Sequence, residues 1–219
     1  MGLTIRRLRL AGLRGPDGLD WPVHGFVVTH PGGAALVDTG AGGPGHVLRD
    51  WRVVNRSVAE ALAEVDMTPG DISLVINTHL HFDHCGQNSV FRHAAHYVQR
   101  AELDRCRRES AELYDWFGFM NASFELLDGD AEILPGLNVL STPGHTVGHQ
   151  CVLAVTEEGP ELMTGDAVYT PRQYQAGPAD ELPDGQASDR AAWQDSLARL
   201  HALAPARLHF CHHTDVLHG

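Results

Sequence analysis

The stretch His79-Leu80-His81-Phe82-Asp83-His84 decides the fold of this chain, because it places four potential metal ligands within six residues. A hydrophobic run at 74–76 precedes it and predicts a strand that ends shortly before His79. In an extended backbone, side chains two residues apart point the same way, so His79 and His81 can reach one ion together. If a helix begins after them, Asp83 and His84 turn toward a second ion beside the first. Imidazole and carboxylate donors suit zinc and related transition metals.

Three later segments add further candidate ligands, and each lies just past a predicted strand. His145 stands in a turn rich in Gly and Pro, and Asp166 follows a short strand at 161–163. The adjacent His212 and His213 follow the last strand. Loops anchored by strands are common places for binding and catalytic residues. The chain therefore supplies, in order, the ligands that a two-metal centre needs, with one of these two histidines as the last.

These motifs resemble those of the metallo-β-lactamase superfamily. The pattern is His-x-His-x-Asp-His, then Gly-His, then Gly-Asp and a final His, and it covers nearly the whole chain. Within the superfamily, the chain most resembles the N-acyl-homoserine lactone lactonases, through Asp38-Thr39-Gly40 and Gly165-Asp166-Ala167-Val168-Tyr169. Tyr169, three residues after Asp166, is the most diagnostic feature. Gln87 departs from the pattern, because a second Gly is common at that position, but it replaces no ligand.

The resemblance implies an α/β fold, the four-layer αβ/βα sandwich, with residues 1–219 as a single domain and the metals at one sheet edge. It also implies two divalent metal ions, with zinc expected. The implied ligands are His79, His81 and His145 for the first metal, Asp83, His84 and His212 for the second, and Asp166 as a bridge between them. His212 is chosen over His213 because the family's last ligand usually follows a small residue, here Cys211.

The resemblance further implies a hydrolase that opens a lactone ring, most typically that of an N-acyl-homoserine lactone. A hydroxide shared by the metals would attack the ester carbonyl, Tyr169 would polarise the carbonyl oxygen, and Asp83 would relay a proton to the leaving alkoxide. Two alternatives stay open: a lactonase for simple γ-lactones or pyridine-fused lactones, and a glyoxalase-II-like thioesterase. The latter normally carries an added C-terminal helical domain, and only seven residues follow His212.

Composition excludes other classes of function. The chain of 219 residues has 28 acidic residues against 16 basic ones and a formal charge of −12, which disfavours a nucleic-acid partner. No apolar run approaches the ~18 residues of a membrane span. The four cysteines lack CxxC spacing, as expected for a reduced, cytoplasmic protein. We therefore expect a small-molecule substrate, no nucleic acid and no membrane, while the oligomeric state is not predicted.

Hydrophobic patterning predicts three helices, at 57–65, 102–112 and 189–203, and Asp189 suits the N-cap of the last. Near the N-terminus, Leu3 and Ile5 alternate out of phase with Leu8 and Leu10, which predicts a β-bulge between the two pairs.

Other residues near the motifs receive supporting roles. We expect Asp38 to orient a ligand histidine rather than bind metal, His149 to make structural hydrogen bonds, and Cys211 to pack in the interior. Two stretches lack a regular pattern. The aromatic cluster at 114–120 is either a small satellite core or an apolar wall for the substrate, and 171–188 could line or cover the site.

Overall fold

The computed structural model describes residues 2–15, 18–109, 122–178 and 186–219. The strands of its first sheet are β1 Thr4–Arg14, β2 Asp20–His30, β3 Gly33–Val37, β4 Val54–Asn55, β5 Ile72–Ile76, β6 Ala95–Gln99 and β7 Phe124–Leu127. They lie in the order β4-β1-β2-β3-β5-β6-β7. The pairs on the β4 side of β3 are antiparallel, whereas β3, β5, β6 and β7 pair in parallel. This sheet therefore combines an antiparallel half with a parallel half.

The second sheet is mainly antiparallel. Its strands are β8 Ala131–Leu134, β9 Leu137–Ser141, β10 Gln150–Thr156, β11 Gly159–Met163, β12 Arg207–His209 and β13 Val216–His218. They lie in the order β13-β12-β11-β10-β9-β8, and β11 with β12 is the parallel pair. Because β11 and β12 are parallel, the segments that follow them leave the sheet at the same edge.

Helices connect and cover the strands. They are α1 Gly45–Asp50, α2 Val58–Ala63, α3 Phe82–Cys85, α4 Arg100–Glu109, α5 Pro171–Ala176 and α6 Arg190–Leu203. The predicted cap is confirmed, since the Asp189 side chain accepts the Ala192 backbone N–H at 3.0 Å. The predicted helix at 102–112 corresponds to α4. Residues 110–112 of that prediction lie outside the residues that the structure describes. No helix within the described ranges is long and apolar enough to cross a membrane.

Buried clusters between neighbouring layers hold four layers together. Leu62 of α2 packs on the outer face of the first sheet. Ile76 and Val139 pack between the two sheets. Trp193 of α6 packs with Leu162 on the outer face of the second sheet. The sandwich thus has a helical layer outside each sheet, and the predicted α/β four-layer fold is confirmed.

The bulge predicted in β1 lies at a different place from the one expected. Leu3 and Ile5 face the space between the sheets, whereas Leu8 and Leu10 face the helical layer. Residues 3 to 10 therefore alternate regularly between the two faces of the strand. Apolar residues occur on both faces because both faces are covered by other parts of the protein. The register shifts instead between Arg9 and Ala11. This bulge keeps Ala11 buried on the same face as Leu10, so two consecutive residues join one core.

Candidate metal centre

The first motif leaves β5 in an extended conformation and then turns into α3. His81 has φ −83° and ψ 157° and occupies the cap position, so the helix begins at Phe82. The extended part brings Nε2 of His79 within 2.9 Å of Nδ1 of His81. The helical turn carries the side chains of Asp83 and His84 away from this pair, as the spacing suggests.

The first group consists of His79, His81 and His145. Nε2 of His145, from the turn between β9 and β10, lies 3.0 Å from Nδ1 of His81. The three ring nitrogens therefore converge on one place, with His81 presenting Nδ1 and the other two presenting Nε2. His79 is fully buried and His145 nearly so. Three imidazole nitrogens arranged in this way can bind one cation together.

The second group consists of Asp83, His84 and His212. Oδ2 of Asp83 lies 3.7 Å from Nε2 of His84 and 3.5 Å from Nε2 of His212. The segment after β12 carries His212 to this edge of the sandwich. Both histidines are buried, and Asp83 keeps 8% of its surface exposed. The second group is thus a mixed nitrogen and oxygen site beside the first.

Asp166 lies between the two groups. Its Oδ2 is 3.4 Å from Nε2 of His145 and 4.0 Å from Nε2 of His79, on the side of the first group. Its Oδ1 is 3.2 Å from Nε2 of His84 and 3.3 Å from Nε2 of His212, on the side of the second. Each carboxylate oxygen therefore faces one group, which is the arrangement that a bridging ligand requires.

Two buried atoms of this centre have no hydrogen-bond partner among the described residues. They are Nε2 of His84 and Oδ1 of Asp166, which face each other on the side of the second group. Leaving a buried polar atom unsatisfied costs roughly 1–3 kcal/mol. A cation between these atoms would satisfy both. The donor set of imidazoles and carboxylates also fits a divalent transition metal, so the residues present fit the metal that the fold implies.

Backbone carbonyls orient two of the ligand rings. Nδ1 of His145 lies 2.8 Å from the Gln186 carbonyl oxygen, and Nδ1 of His212 lies 2.8 Å from that of Pro22. A carbonyl oxygen can only accept, so each Nδ1 carries a proton, which leaves Nε2 as the nitrogen available to a metal. This tautomer is the one that binds a metal through Nε2.

A carboxylate orients the third ring. Nδ1 of His84 lies 2.8 Å from Oδ2 of Asp38, and Thr78 donates its backbone N–H to Oδ1 of the same carboxylate. Asp38 follows β3 directly and is buried. It lies behind His84, on the side away from Nε2, so its position agrees with an orienting role.

Burial and charge set the protonation of the centre. Burial, reinforced by His84, lowers the pKa of His79 well below its usual range, and burial with His145 does the same for His81. Burial alone would raise the pKa of Asp166, but the neighbouring His84 and His212 lower it well below its usual range. His79 and His81 therefore present neutral imidazoles, and Asp166 stays ionised.

Tyr169 reaches the middle of the centre. Its hydroxyl donates to Oδ2 of Asp166 at 3.0 Å and lies 3.2 Å from Nδ1 of His145. Its ring stacks on His212 at a centroid distance of 5.6 Å, and Trp21 lies against it at 5.5 Å. Burial and then Asp166 raise the pKa of Tyr169 well above its usual value, so the phenol keeps its proton.

The remaining histidines and cysteine near the motifs lie outside both groups. His213 is partly exposed and accepts the Asp215 backbone N–H through Nδ1. His149 accepts the Asp166 backbone N–H through Nε2 at 3.0 Å, which supports the turn that carries Asp166. Cys211 belongs to a cluster of potential ligands with His84, Asp166 and His212, but its thiol donates to the His24 carbonyl oxygen at 3.1 Å.

Some residues that build the site carry no signal in the sequence. The carbonyls of Pro22 and Gln186 act through the backbone, which any residue type offers. Glu102 of α4 lies against both ligand loops, yet in the sequence it is one acidic residue among several on a charged helix. The stretch 114–120 lies outside the described residues, and of 171–188 the structure describes 171–178 and 186–188.

Comparison with known proteins identifies the class. Residues 18–212 match the sequence model of the metallo-beta-lactamase superfamily, and the chain belongs to this superfamily. Over 173 residues it is 34% identical to an N-acyl homoserine lactonase from a Bacillus species, covering 72% of this chain and 68% of the relative. An N-acyl homoserine lactonase from Bacillus cereus is 32% identical over 181 residues, or 75% of this chain and 70% of the relative.

Solved structures give the same result. An N-acyl homoserine lactone hydrolase, solved with the product N-hexanoyl-L-homoserine bound at its catalytic metal centre, is similar with a TM-score of 0.78 and 26% sequence identity. The similarity covers 96% of this chain and 92% of that one. The predicted superfamily, fold and resemblance to lactonases are therefore confirmed.

Proposed function

We propose that this chain is a dinuclear metal hydrolase that opens the ring of N-acyl homoserine lactones. The lactonase relatives support this substrate class. The observation of this structure that carries the proposal is the position of Tyr169, whose hydroxyl lies 3.0 Å from Asp166 between the two groups of candidate ligands. A proton donor at this place suits an ester whose carbonyl oxygen gains charge during hydrolysis.

The candidate ligands divide between two ions. The first group, His79, His81 and His145, would hold one ion, the second group, Asp83, His84 and His212, would hold the other, and Asp166 would contact both. Zinc is the expected metal because imidazole nitrogens dominate both groups. When bound, such a pair of cations lowers the pKa of water toward ~7 and polarises an ester carbonyl.

Tyr169 would act on the carbonyl side of the ester. Its raised pKa keeps the hydroxyl protonated at neutral pH, so it donates a hydrogen bond rather than carrying a charge. The ring is held between His212 and Trp21, which fixes the direction of the hydroxyl. A donor held in place before the reaction stabilises an oxyanion without reorganisation.

Asp83 would act on the leaving-group side. Its carboxylate lies 3.5 Å from Nε2 of His212 and retains some contact with solvent. A carboxylate there can take a proton from water and pass it to the alkoxide that ring opening releases. Water is thereby added across the ester bond, and the product is an N-acyl homoserine.

The state of the cysteines supports a cytoplasmic location. Cys85, Cys106, Cys151 and Cys211 are all free and buried. The thiol of Cys85 donates to the His81 carbonyl oxygen at 3.2 Å, so it takes part in the packing behind the first motif. Free thiols of this kind are typical of a reducing compartment.

The function is tested with a substrate panel on the purified protein, with metal content measured on the same sample. We expect N-hexanoyl homoserine lactone to be opened with kcat/KM in the ordinary enzyme range of ~10⁴–10⁸ M⁻¹s⁻¹, and chelation to abolish the reaction. A simple γ-lactone tests whether the acyl amide is needed. Failure on every lactone with good turnover of a glutathione thioester would instead support the thioesterase.

A further inference from the structure

Glu102, in the first turn of α4, is fully buried although it is charged. Its Oε1 accepts the backbone N–H of Leu80 at 3.0 Å, and its Oε2 accepts that of Gly148 at 3.3 Å. Leu80 stands between His79 and His81, and Gly148 belongs to the loop that carries His145. One carboxylate therefore joins the two loops that supply the first group.

Leu80 is held by α4 at three points. Besides the bond from its N–H to Glu102, its carbonyl oxygen accepts the Cys106 thiol at 3.8 Å. Its side chain is buried in a cluster with Leu103 and Cys106. The neighbouring His79 and His81 point the other way along this extended segment, toward the first group. The depth and tilt of both rings thus depend on how α4 holds the residue between them.

Gly148 lies against the start of α4. A Cβ added to this glycine would meet Cβ of Glu102 at 2.5 Å, which is closer than real side chains approach each other. The His145 loop can therefore reach Glu102 only because residue 148 has no side chain. This close approach and the hydrogen bond to Oε2 set the distance between the His145 loop and the first motif.

Arg105 keeps the Glu102 carboxylate charged. Its guanidinium is 2.6 Å from Oε1 of Glu102 and only 11% of its side chain is exposed. Burial alone would raise the pKa of Glu102, but Arg105 and the Leu80 N–H lower it to about 2. An ionised acceptor binds two amides more strongly than a neutral one does. The ion pair with Arg105 thus strengthens the hydrogen bonds between Glu102 and the two ligand loops.

We infer that Glu102 is a positioning residue that sets the geometry of the first group, by tying the Leu80 and Gly148 amides to one carboxylate. Among the described residues, the hydrogen bonds of Glu102 reach the Leu80 and Gly148 amides and Arg105 but no ligand ring of the second group. We therefore expect its effect to be confined to the site made by His79, His81 and His145. The inference rests on the proposed function, since it takes this group to be one of two metal sites. It adds a determinant of metal affinity in a helix outside the ligand motifs.

The test measures zinc binding rather than turnover. Chelator-stripped protein is titrated with zinc in competition with a chromophoric chelator, so that the Kd of each site is obtained. Removal of an outer contact of a metal ligand typically costs ~10–100-fold in affinity, and we expect Glu102→Gln to weaken one of the two sites by this amount. The matched control is Glu109→Gln, because Glu109 also pairs with Arg105, at 3.5 Å, but its side chain is 59% exposed.

Variants that keep a single site identify the group affected. With His212→Gln, which leaves the first group intact, the added Glu102→Gln change should weaken the remaining site. With His79→Gln, which leaves the second group intact, the same change should leave the Kd unaltered. Equal weakening in both backgrounds, or unchanged affinity in both, would overturn the inference.

Two further measurements distinguish failure of the positioning role from a folding defect and from failure of the proposed function. If Glu102→Gln yields no folded protein, judged by its thermal transition without metal, Glu102→Asp takes its place. Aspartate keeps the charge and the Arg105 partner but is too short to hold both amides, so it should weaken the same site. If the unaltered protein binds no zinc, the proposed function fails, whereas two normal sites in every Glu102 variant contradict only the positioning role.

Discussion

Oδ2 of Asp38 lies 2.8 Å from Nδ1 of His84, while Oδ1 of the same carboxylate accepts the Thr78 backbone N–H at 2.8 Å. Asp38 thereby connects the end of β3 to both halves of the first motif. It holds the His84 ring with Nε2 directed at Asp166. Its own backbone is left-handed, with φ 58°, a conformation that Asp and Asn adopt more readily than most residues.

We predict that Asp38→Asn weakens zinc binding at the second group by ~10–100-fold. Asparagine tolerates the left-handed backbone and nearly preserves the shape, so the change removes mainly the charge that orients His84. The measurement is competition with a chromophoric chelator. Asp128→Asn is a suitable control, because that carboxylate pairs with Arg100 at the surface and belongs to neither group. Unchanged affinity at both sites would show that Asp38 has no influence on the metal.

The sequence predicts the candidate ligands because their signal is local. His79 and His81 share a side of one extended segment, and Asp83 and His84 begin the helix that follows. The candidate residues at later strand ends come together because β11 and β12 run parallel, so that Asp166 and His212 leave at one edge. The spacing within the first motif is readable from the chain, whereas the parallel pairing of β11 and β12 is known from the structure.

The contacts around the ligands are not local, and the sequence does not reveal them. The Pro22 carbonyl that orients His212 is 190 residues away along the chain. Glu102 is separated from Leu80 by 22 residues and from Gly148 by 46. The bulge in β1 lies away from its predicted position for a related reason. Alternation cannot distinguish a bulge from a strand covered on both faces until the second covering layer is known.

We predict that Asp166→Asn weakens both metal sites together. Each of its oxygens faces one group, so loss of the charge affects both. Elemental analysis should give about two ions per chain for the unaltered protein and fewer than one for this variant under the same dialysis. His212→Gln is the comparison, because it should lose only the ion of the second group. If Asp166→Asn also loses just one ion, the residue is an ordinary ligand and not a bridge.

Glu102 should make the free energy of unfolding depend on pH under acidic conditions. Its pKa in the folded protein is lowered to about 2 from a usual value of 4.5. A group with a lowered folded pKa stabilises the protein above its unfolded pKa, and this contribution is lost as the pH falls through the folded value. The shift corresponds to about 3 kcal/mol at neutral pH, lost progressively between about pH 4.5 and 2.

Urea denaturation of chelator-treated protein measures this contribution. The difference in free energy of unfolding between the unaltered protein and Glu102→Gln should be largest above about pH 4.5 and shrink as the pH falls. Other acidic groups titrate in both proteins and cancel in the difference. Glu109→Gln, on the same helix but exposed, should differ little from the unaltered protein at any pH. A difference for Glu102→Gln that is independent of pH would rule out the charge as its source.

Tyr169→Phe distinguishes catalysis by the phenol from support of the site. The change removes only the hydroxyl that lies 3.0 Å from Asp166 and keeps the ring that stacks on His212. A donor to the developing oxyanion acts mainly in the transition state, so we predict a fall in kcat of roughly 10- to 10³-fold. Metal content and Tm should barely change, because the hydroxyl is not proposed as a ligand.

The matched control is Tyr174→Phe. The Tyr174 hydroxyl donates to the Leu200 carbonyl oxygen at 3.4 Å and its ring stacks on His201, so it belongs to the packing of α5 on α6. This variant should retain its kcat. If Tyr169→Phe also retains its kcat, the tyrosine only lines the pocket. If it loses metal instead, the hydroxyl supports the site through Asp166, and polarisation of the ester carbonyl must come from the metals alone.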